Sequence, residues 1–364
     1  MLKKLVFRSQ FFLAKSTLAV ALAAASLGVQ AQETVTLQLK WLPQAQFAGY
    51  YVALAKGYYK AEGLDVIIKP GGPNIAPAQT LISSQADLMV NWMADALAAR
   101  ETGFPVVNIA QIFNRSGLML TCKKASGVNT AKDFKGKTLG VWFGGSEYPF
   151  INWMGQLGLR TDAELKLLNP GNYVNTRTRV LVKESDVDVK VLRQGFNVEP
   201  LVKNEAACIS TMIYNEYWQL IDAGIKESEM TTFFYEEQGL ATLEDGLYVL
   251  ESRLQDPAFR ARMAKFLKAS FKGWNEAVKN PQEAAKIVVA ADKSGASTVA
   301  AQQRQMENVA KLITTASTAK MGYLEPDAFK RTVKVLLSGG SAPVIRKDPG
   351  EIAYTHIIWE AAQK

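Results

Sequence analysis

Between Leu37 and Pro73 the spacing of apolar residues changes from two to helical and back again. Leu37–Trp41 alternates apolar and polar side chains, the pattern of a strand buried on one face. Pro43 ends that strand, because proline brings no N–H to the ladder. From Ala48 to Tyr59 the residues Ala48, Tyr51, Val52, Ala55, Tyr58 and Tyr59 recur at helical spacing. Gly63 marks a stop, and Leu64–Ile68 is apolar and branched enough for a second strand. Strand, helix and strand this close are parallel neighbours in one α/β sheet. Ligands of such sheets sit beyond the carboxyl ends of the strands. That rule sets Trp41–Phe47 beside Gly71–Asn74 at a mouth.

The same periodicities continue along the chain. Helices are expected over 76–84 and 94–102, with strands at 87–91 and 104–109. The apolar run Gly117–Thr121 reads as a first crossing into a second lobe, which opens at Thr138–Phe143 and continues through GGSEYPF into a helix over 148–157. Residues 161–190 carry a turn signal at Asn169-Pro170-Gly171-Asn172 and mixed charge, and read as a surface insertion with Arg177, Arg179 and Lys183 on a solvated face. Strands are expected at 189–192 and 206–213, and Leu247–Leu250 returns the chain to the first lobe. Asp256-Pro257 is a helix-start signal. After it Phe259, Met263, Phe266, Leu267, Phe271, Trp274 and Val278 share one helical face. The expected architecture is a hinged α/β clamshell, with one lobe from 32–120 plus 240–364 and the other from 121–239.

The first 31 residues stand apart. Lys3, Lys4, Arg8 and Lys15 precede the alanine-rich apolar run Ser16–Val29, and Val29-Gln30-Ala31 fits a small-x-small cleavage site. A cleaved export signal over 1–31 without a lipid-attachment cysteine is expected, delivering a free periplasmic protein. It carries four basic residues and no acidic one, so the net charge falls from +8 to +4 on its removal. No basic block interleaved with aromatics remains, and nucleic acid is not an expected partner.

The stretch W-x-P-x-x-x-F-A-G-Y-Y-V-A-x-x-K-G-Y-Y-K-x-E-G-L-D, from Trp41 to Asp65, resembles the opening of the NMT1/THI5-like family. The similarity continues through Ala86–Val107 and Asp133–Phe143 and covers most of the chain after residue 33. The family includes periplasmic solute-binding proteins of ABC importers for thiamine-precursor pyrimidines, with nitrate and sulfonate binders as distant relatives. It also includes a fungal enzyme making the thiamine pyrimidine phosphate. The resemblance implies a type II periplasmic-binding-protein clamshell, each lobe a mainly parallel sheet flanked by helices. It implies a monomer that hands a small nitrogen heterocycle, foremost a formyl-aminopyrimidine, to an ABC permease. Riboflavin-like and sulfonate or nitrate solutes are the alternative ligands, and the pyrimidine-phosphate synthase is the alternative activity.

Residue counts weigh against catalysis. His356 is the single histidine, so a Ser-His-Asp triad or a histidine-rich metal site is not expected. Gly136-Lys137-Thr138 fails as a P-loop, because Ala131 stands where the first glycine is needed. Where the fungal enzyme carries a lysine and a histidine, this chain has Asn91 and Asp95. Its cysteine cluster has no counterpart near Gly239–Asp245. Asparagine cannot form a Schiff base with pyridoxal phosphate, because its amide is not nucleophilic; no cofactor, catalytic residue or metal is expected. Cys122 and Cys208 could pair in an oxidising compartment, but each lies in an apolar run and reads as a separately buried thiol.

What remains at the strand ends suits a flat heterocycle. Trp41, Phe47, Trp92, Phe113, Trp142, Tyr148 and Tyr214 are candidate aromatic walls. Asn91, Glu147, Asn215 and Glu216 are candidate in-plane partners, and Gly144-Gly145-Ser146 would offer backbone N–H groups and a hydroxyl at a helix start. Trp41 and Glu216 are expected to face each other across the cleft.

Overall fold

In the computed structural model, which describes residues 32–295, 297–314, 320–338 and 343–364, β1 (Glu33–Gln38) pairs in parallel with β2 (Leu64–Lys69) along its whole length. The export signal expected over 1–31 lies outside the described residues. Between β1 and β2 the chain makes a 3₁₀ turn at Ala45–Phe47 and the helix α1 (Ala48–Ala55). β3 (Leu88–Asn91), α2 (Met93–Glu101) and β4 (Val106–Gln111) follow. β3 flanks β1 on the side away from β2, so β1 is an interior strand. Gln38 and Lys40, which alternation assigns to solvent, are therefore buried.

The chain then builds a second sheet. It comprises β5 (Leu118–Lys123), β6 (Thr138–Val141), β10 (Lys190–Arg193), β11 (Cys208–Met212) and β12 (Met230–Phe234). α3 (Glu147–Gln156) follows β6, and α4 (Glu216–Asp222) follows β11. β13 (Gly246–Leu250) returns to the first sheet. The strand orders are β2-β1-β3-β13-β4 and β10-β6-β11-β5-β12. In each sheet the fourth strand, β13 or β5, is antiparallel to both its neighbours. Each of these two strands has just crossed from the other lobe, so it enters from the cleft, where the other strands end. Two α/β lobes joined by two crossings form the periplasmic-binding-protein clamshell.

Residues 161–190 are more ordered than a loose insertion. β7 (Leu165–Asn169), β8 (Asn172–Asn175) and β9 (Leu181–Lys183) form a separate antiparallel sheet, with the Asn169–Asn172 turn as its first hairpin. Arg177 is not simply solvated: it pairs with Glu164 at 2.6 Å. The cysteine reading is also corrected. β11 and β5 pair antiparallel with Cys208 directly opposite Cys122, the Cα atoms are 3.9 Å apart, and the two sulfurs form a disulfide. Register, which is set by the whole β5–β11 ladder, brings the two runs together.

After β13 the chain is helical: α5 (Pro257–Lys279), α6 (Pro281–Ala291), α7 (Val299–Thr314) and α8 (Pro326–Leu337). Asp256 caps α5 by accepting the Ala258 N–H at 2.8 Å, and Pro257 occupies the first turn where no N–H is needed. The apolar face expected for this helix is buried from Phe259 to Trp274. α1 and α5 cross at two glycines. A Cβ on Gly273 would lie 2.1 Å from the Gly49 carbonyl oxygen, so a side chain there would force the helices apart. The tail touches both lobes. Ala45 N–H donates to Gln305 Oε1 of α7 at 3.0 Å, and Asn152 Nδ2 of α3 donates to the Val335 carbonyl of α8 at 2.8 Å. Among the described residues no helix is long and apolar enough to cross a membrane.

Candidate functional site

A cavity of about 440 Å³ opens between the lobes, at the carboxyl ends of their strands. The segment after β1 supplies Lys40, Trp41, Gln44 and Gln46, and the loop after β2 supplies Gly72–Pro77. β3 and the start of α2 give Asn91, Trp92 and Asp95. From the second lobe, Trp142, Phe143, Gly144 and Glu147 follow β6, Arg193 ends β10, and Met212, Tyr214 and Glu216 end β11. This is where a doubly wound sheet places its ligands, because only there do loops from several strands converge.

The two lobes touch around this cavity. Trp41 and Trp142 meet edge to face, with ring centroids 6.0 Å apart. Asn215 Nδ2 donates to Gln44 Oε1 at 3.2 Å. Gly145 sits at φ +137 against Trp92, and a Cβ there would come within 2.6 Å of the Trp92 Cβ. A side chain at 145 would wedge the lobes open.

The polar groups are fixed before any ligand arrives. Glu216 accepts the Met212 N–H at 3.0 Å and Asn215 Nδ2 at 2.7 Å, and burial pushes its pKa up to about 7. Glu147 accepts the Gly145 N–H at 2.7 Å and is likewise pushed up to about 7 by burial. Asp95 accepts Asn91 Nδ2 at 2.7 Å, and burial raises it above the ordinary carboxylate range. Lys40 is held by Asp245 at 2.7 Å, and its ammonium lies 3.7 Å from the Trp92 ring centroid. Gln46 Nε2 donates to the other Asp245 oxygen at 3.0 Å. Next to Asp245, Glu244 accepts Ser116 Oγ at 2.6 Å and the Gly117 N–H at 3.1 Å, so a carboxyl on one crossing grips the other. Burial pushes Glu244 up to about 8.

Of the residues expected from sequence, Trp41, Asn91, Trp92, Trp142, Gly144, Glu147, Tyr214 and Glu216 line the cavity, and Trp41 and Glu216 face it from opposite lobes. The others are placed differently. Phe47 and Phe113 are fully buried in the core, Phe113 against Tyr214 and Trp274. Phe47 closes a 3₁₀ turn whose three residues are all buried. Gly145 and Ser146 offer nothing to a ligand. The Gly145 N–H is taken by Glu147, and the Ser146 hydroxyl donates to the Trp142 carbonyl at 3.0 Å. Tyr148 packs on α8 and the Arg177 side, outside the lining. Asn215 links the lobes and is not part of the wall. Lys40, Gln44, Gln46, Phe143, Arg193 and Asp245 were not foreseen as site residues. The burial of an interior β1 is the signal that would have found Lys40.

The NMT1/THI5-like family model matches residues 44–173 and 168–284. Among curated proteins, the riboflavin-binding protein RibY of Chloroflexus aurantiacus is 26% identical over 321 residues, covering 86% of this chain and 83% of its own. The formylaminopyrimidine-binding protein of Halalkalibacterium halodurans is 26% identical over 261 residues, 71% of each chain. The 4-amino-5-hydroxymethyl-2-methylpyrimidine phosphate synthase of Schizosaccharomyces pombe is 25% identical over 179 residues, 48% of this chain and 49% of the enzyme. A putative periplasmic sulfonate-binding protein, SsuA from Methylobacillus flagellatus, superposes with a TM-score of 0.56 at 14% identity over 92% of this chain and 95% of its own, a likeness of fold alone.

Proposed function

The chain belongs to the NMT1/THI5-like family, and from that premise we propose that it is the periplasmic solute-binding component of an ABC importer, capturing a flat nitrogen heterocycle and delivering it to the permease. The observation that carries this reading is the wall of the cavity. Trp41 and Trp92 from one lobe and Trp142 and Phe143 from the other surround a space whose remaining lining includes carboxyl and amide groups. Aromatic faces give a planar ring stacking area, and placed donors and acceptors read its edge.

Capture proceeds by closure of the lobes about their two crossings. The ring is held between the tryptophans, and Glu216 and Glu147 meet its N–H groups. A carboxylate opposite an aminopyrimidine edge makes a charge-assisted contact of ~1.5–3 kcal/mol. A formyl-aminopyrimidine is the first reading of the cargo. A flavin-like tricycle is the second, favoured by the 440 Å³ cavity, which offers far more room than one six-membered ring requires. Sulfonate capture is disfavoured by the carboxyl-rich lining. The synthase reading is disfavoured by Asn91, whose amide is hydrogen-bonded to Asp95 where a Schiff-base lysine would be needed. The export signal read at 1–31 supports a periplasmic location, and the protein acts as a monomer.

Native mass spectrometry of the protein purified from its host, with whatever solute it retains, tests this. An aminopyrimidine or flavin mass is expected. A retained alkanesulfonate, or pyridoxal phosphate trapped on a lysine by borohydride, overturns the reading.

A further inference from the structure

The polar side of the cavity is dominated by acids. Asp95 lines it from the first lobe and Glu147 and Glu216 from the second, while Asp245 and Glu244 stand behind it on the second crossing. Among the lining residues two cations face these five groups. Lys40 is committed to Asp245, with both side chains almost inaccessible. Arg193 is exposed at the rim, its guanidinium 4.0 Å from the Phe143 ring centroid.

The backbone donors that an anion would need are also taken. Glu147 opens α3 and accepts the Gly145 N–H, and Glu216 opens α4 and accepts the Met212 N–H. Helix starts of this kind are where a phosphate or sulfonate is ordinarily seated. Here Glu147's own carboxyl occupies the start of α3, and Glu216 takes the last N–H of β11.

Building on the heterocycle reading above for the identity of the ring, we propose that this cavity admits uncharged or cationic solutes and excludes phosphate esters and sulfonates of the same ring. At pH 8.5, above the value of about 7 to which burial pushes Glu147 and Glu216, both are carboxylates, and like charges brought together in a water-poor site repel strongly enough to weaken binding by on the order of a hundredfold. A place in a reaction sequence follows. A phosphorylated heterocycle outside the cell must first be hydrolysed, water attacking phosphorus and the alcohol oxygen leaving with a proton. Free alcohol and inorganic phosphate result, and only the alcohol is captured.

The test is calorimetric titration, at pH 8.5 where Glu147 and Glu216 are ionised, of refolded protein with riboflavin, flavin mononucleotide and the uncharged acetyl ester of riboflavin, and with the corresponding hydroxymethyl-aminopyrimidine set. The phosphate ester should bind about a hundredfold more weakly than the alcohol, and the acetyl ester within about threefold of it. In the Glu147→Gln, Glu216→Gln double variant the gap should narrow to about tenfold or less, relief that a purely steric barrier would not show. A phosphate ester bound as tightly as its alcohol overturns the proposal, and so does an acetyl ester rejected equally. If no ring compound binds in any form, the heterocycle reading falls instead. The charge of the solute retained in native mass spectrometry then decides: an uncharged or cationic solute upholds the exclusion, and a phosphate or sulfonate overturns it.

Discussion

Trp41 and Trp142, carried by different lobes, meet edge to face with ring centroids 6.0 Å apart and planes inclined at 65°. The contact joins the segment after β1 to the segment after β6, the corresponding positions of two sheets with the same strand order. Each tryptophan is thus at once a wall of the cavity and part of the contact that closes it. Trp142 is further pinned by its indole N–H, which donates to the Gly195 carbonyl at 2.7 Å. Replacing Trp142 by Phe removes that bond and part of the contact. Heterocycle affinity should fall up to about tenfold, from the smaller and less firmly held stacking face, within the ~1–3 kcal/mol scale of a base on an aromatic side chain. Calorimetric titration reads it, and an unchanged affinity would show that the ligand does not feel this wall.

Gly145→Ala asks whether closure matters. The added methyl group has no room against Trp92, and φ +137 disfavours any side chain. The variant should fold, bind at least tenfold more weakly and show a larger radius of gyration in small-angle scattering with ligand present. A compact ligand-bound state indistinguishable from wild type would refute the wedge.

The carboxyls of Glu147 and Glu216, pushed up to about 7, and Glu244, pushed up to about 8, hold protons in the folded protein that the unfolded chain has released. Their folded pKa lies above the unfolded value of 4.5. The stability they contribute is therefore fully present below that value and is lost as pH rises through 7 to 8. Urea unfolding at pH 5.5 and 8.5 should show ligand-free stability falling with pH, by on the order of 3 kcal/mol per carboxyl at most. Glu216→Gln should remove its share of the slope. A slope unaltered by the variant would place the titration elsewhere.

The disulfide closes a sequence separation of 86 residues within the second lobe. Serine at both Cys122 and Cys208 should cost ~2–5 kcal/mol in stability. Denaturant unfolding of the double variant checks this, and a loss below about 1 kcal/mol would show the bond to be dispensable.

The fold was legible because βαβ units announce themselves locally: the period change at Leu37–Ile68 and the Asp256-Pro257 start need no distant information. The strand-end rule found Trp41, Trp92 and Glu216 for the same reason. Phe47 and Phe113 were misassigned because a short turn or strand end leaves the direction of an aromatic side chain open until its neighbours are known. Lys40 was hidden by alternation, which counts it as solvent-facing although β1 is interior. Its partner Asp245 lies more than two hundred residues away on the second crossing, at a left-handed φ of +52 that sequence does not advertise. The Cys122–Cys208 bond depends on the register of an antiparallel pair, which neither cysteine's own neighbourhood encodes.

The central claim is that a flat nitrogen heterocycle is held between the tryptophans of the cleft. Its most direct test is calorimetric titration of protein unfolded and refolded to strip retained solute, with a formyl-aminopyrimidine and with riboflavin, in wild type and in Trp41→Ala. One of the two heterocycles should bind wild type at micromolar affinity or tighter. Trp41→Ala should weaken it roughly tenfold or more, the scale of ~1–3 kcal/mol for a base stacked on an aromatic side chain. Neither heterocycle binding while an alkanesulfonate does, or a heterocycle binding the variant as tightly as wild type, would contradict the account.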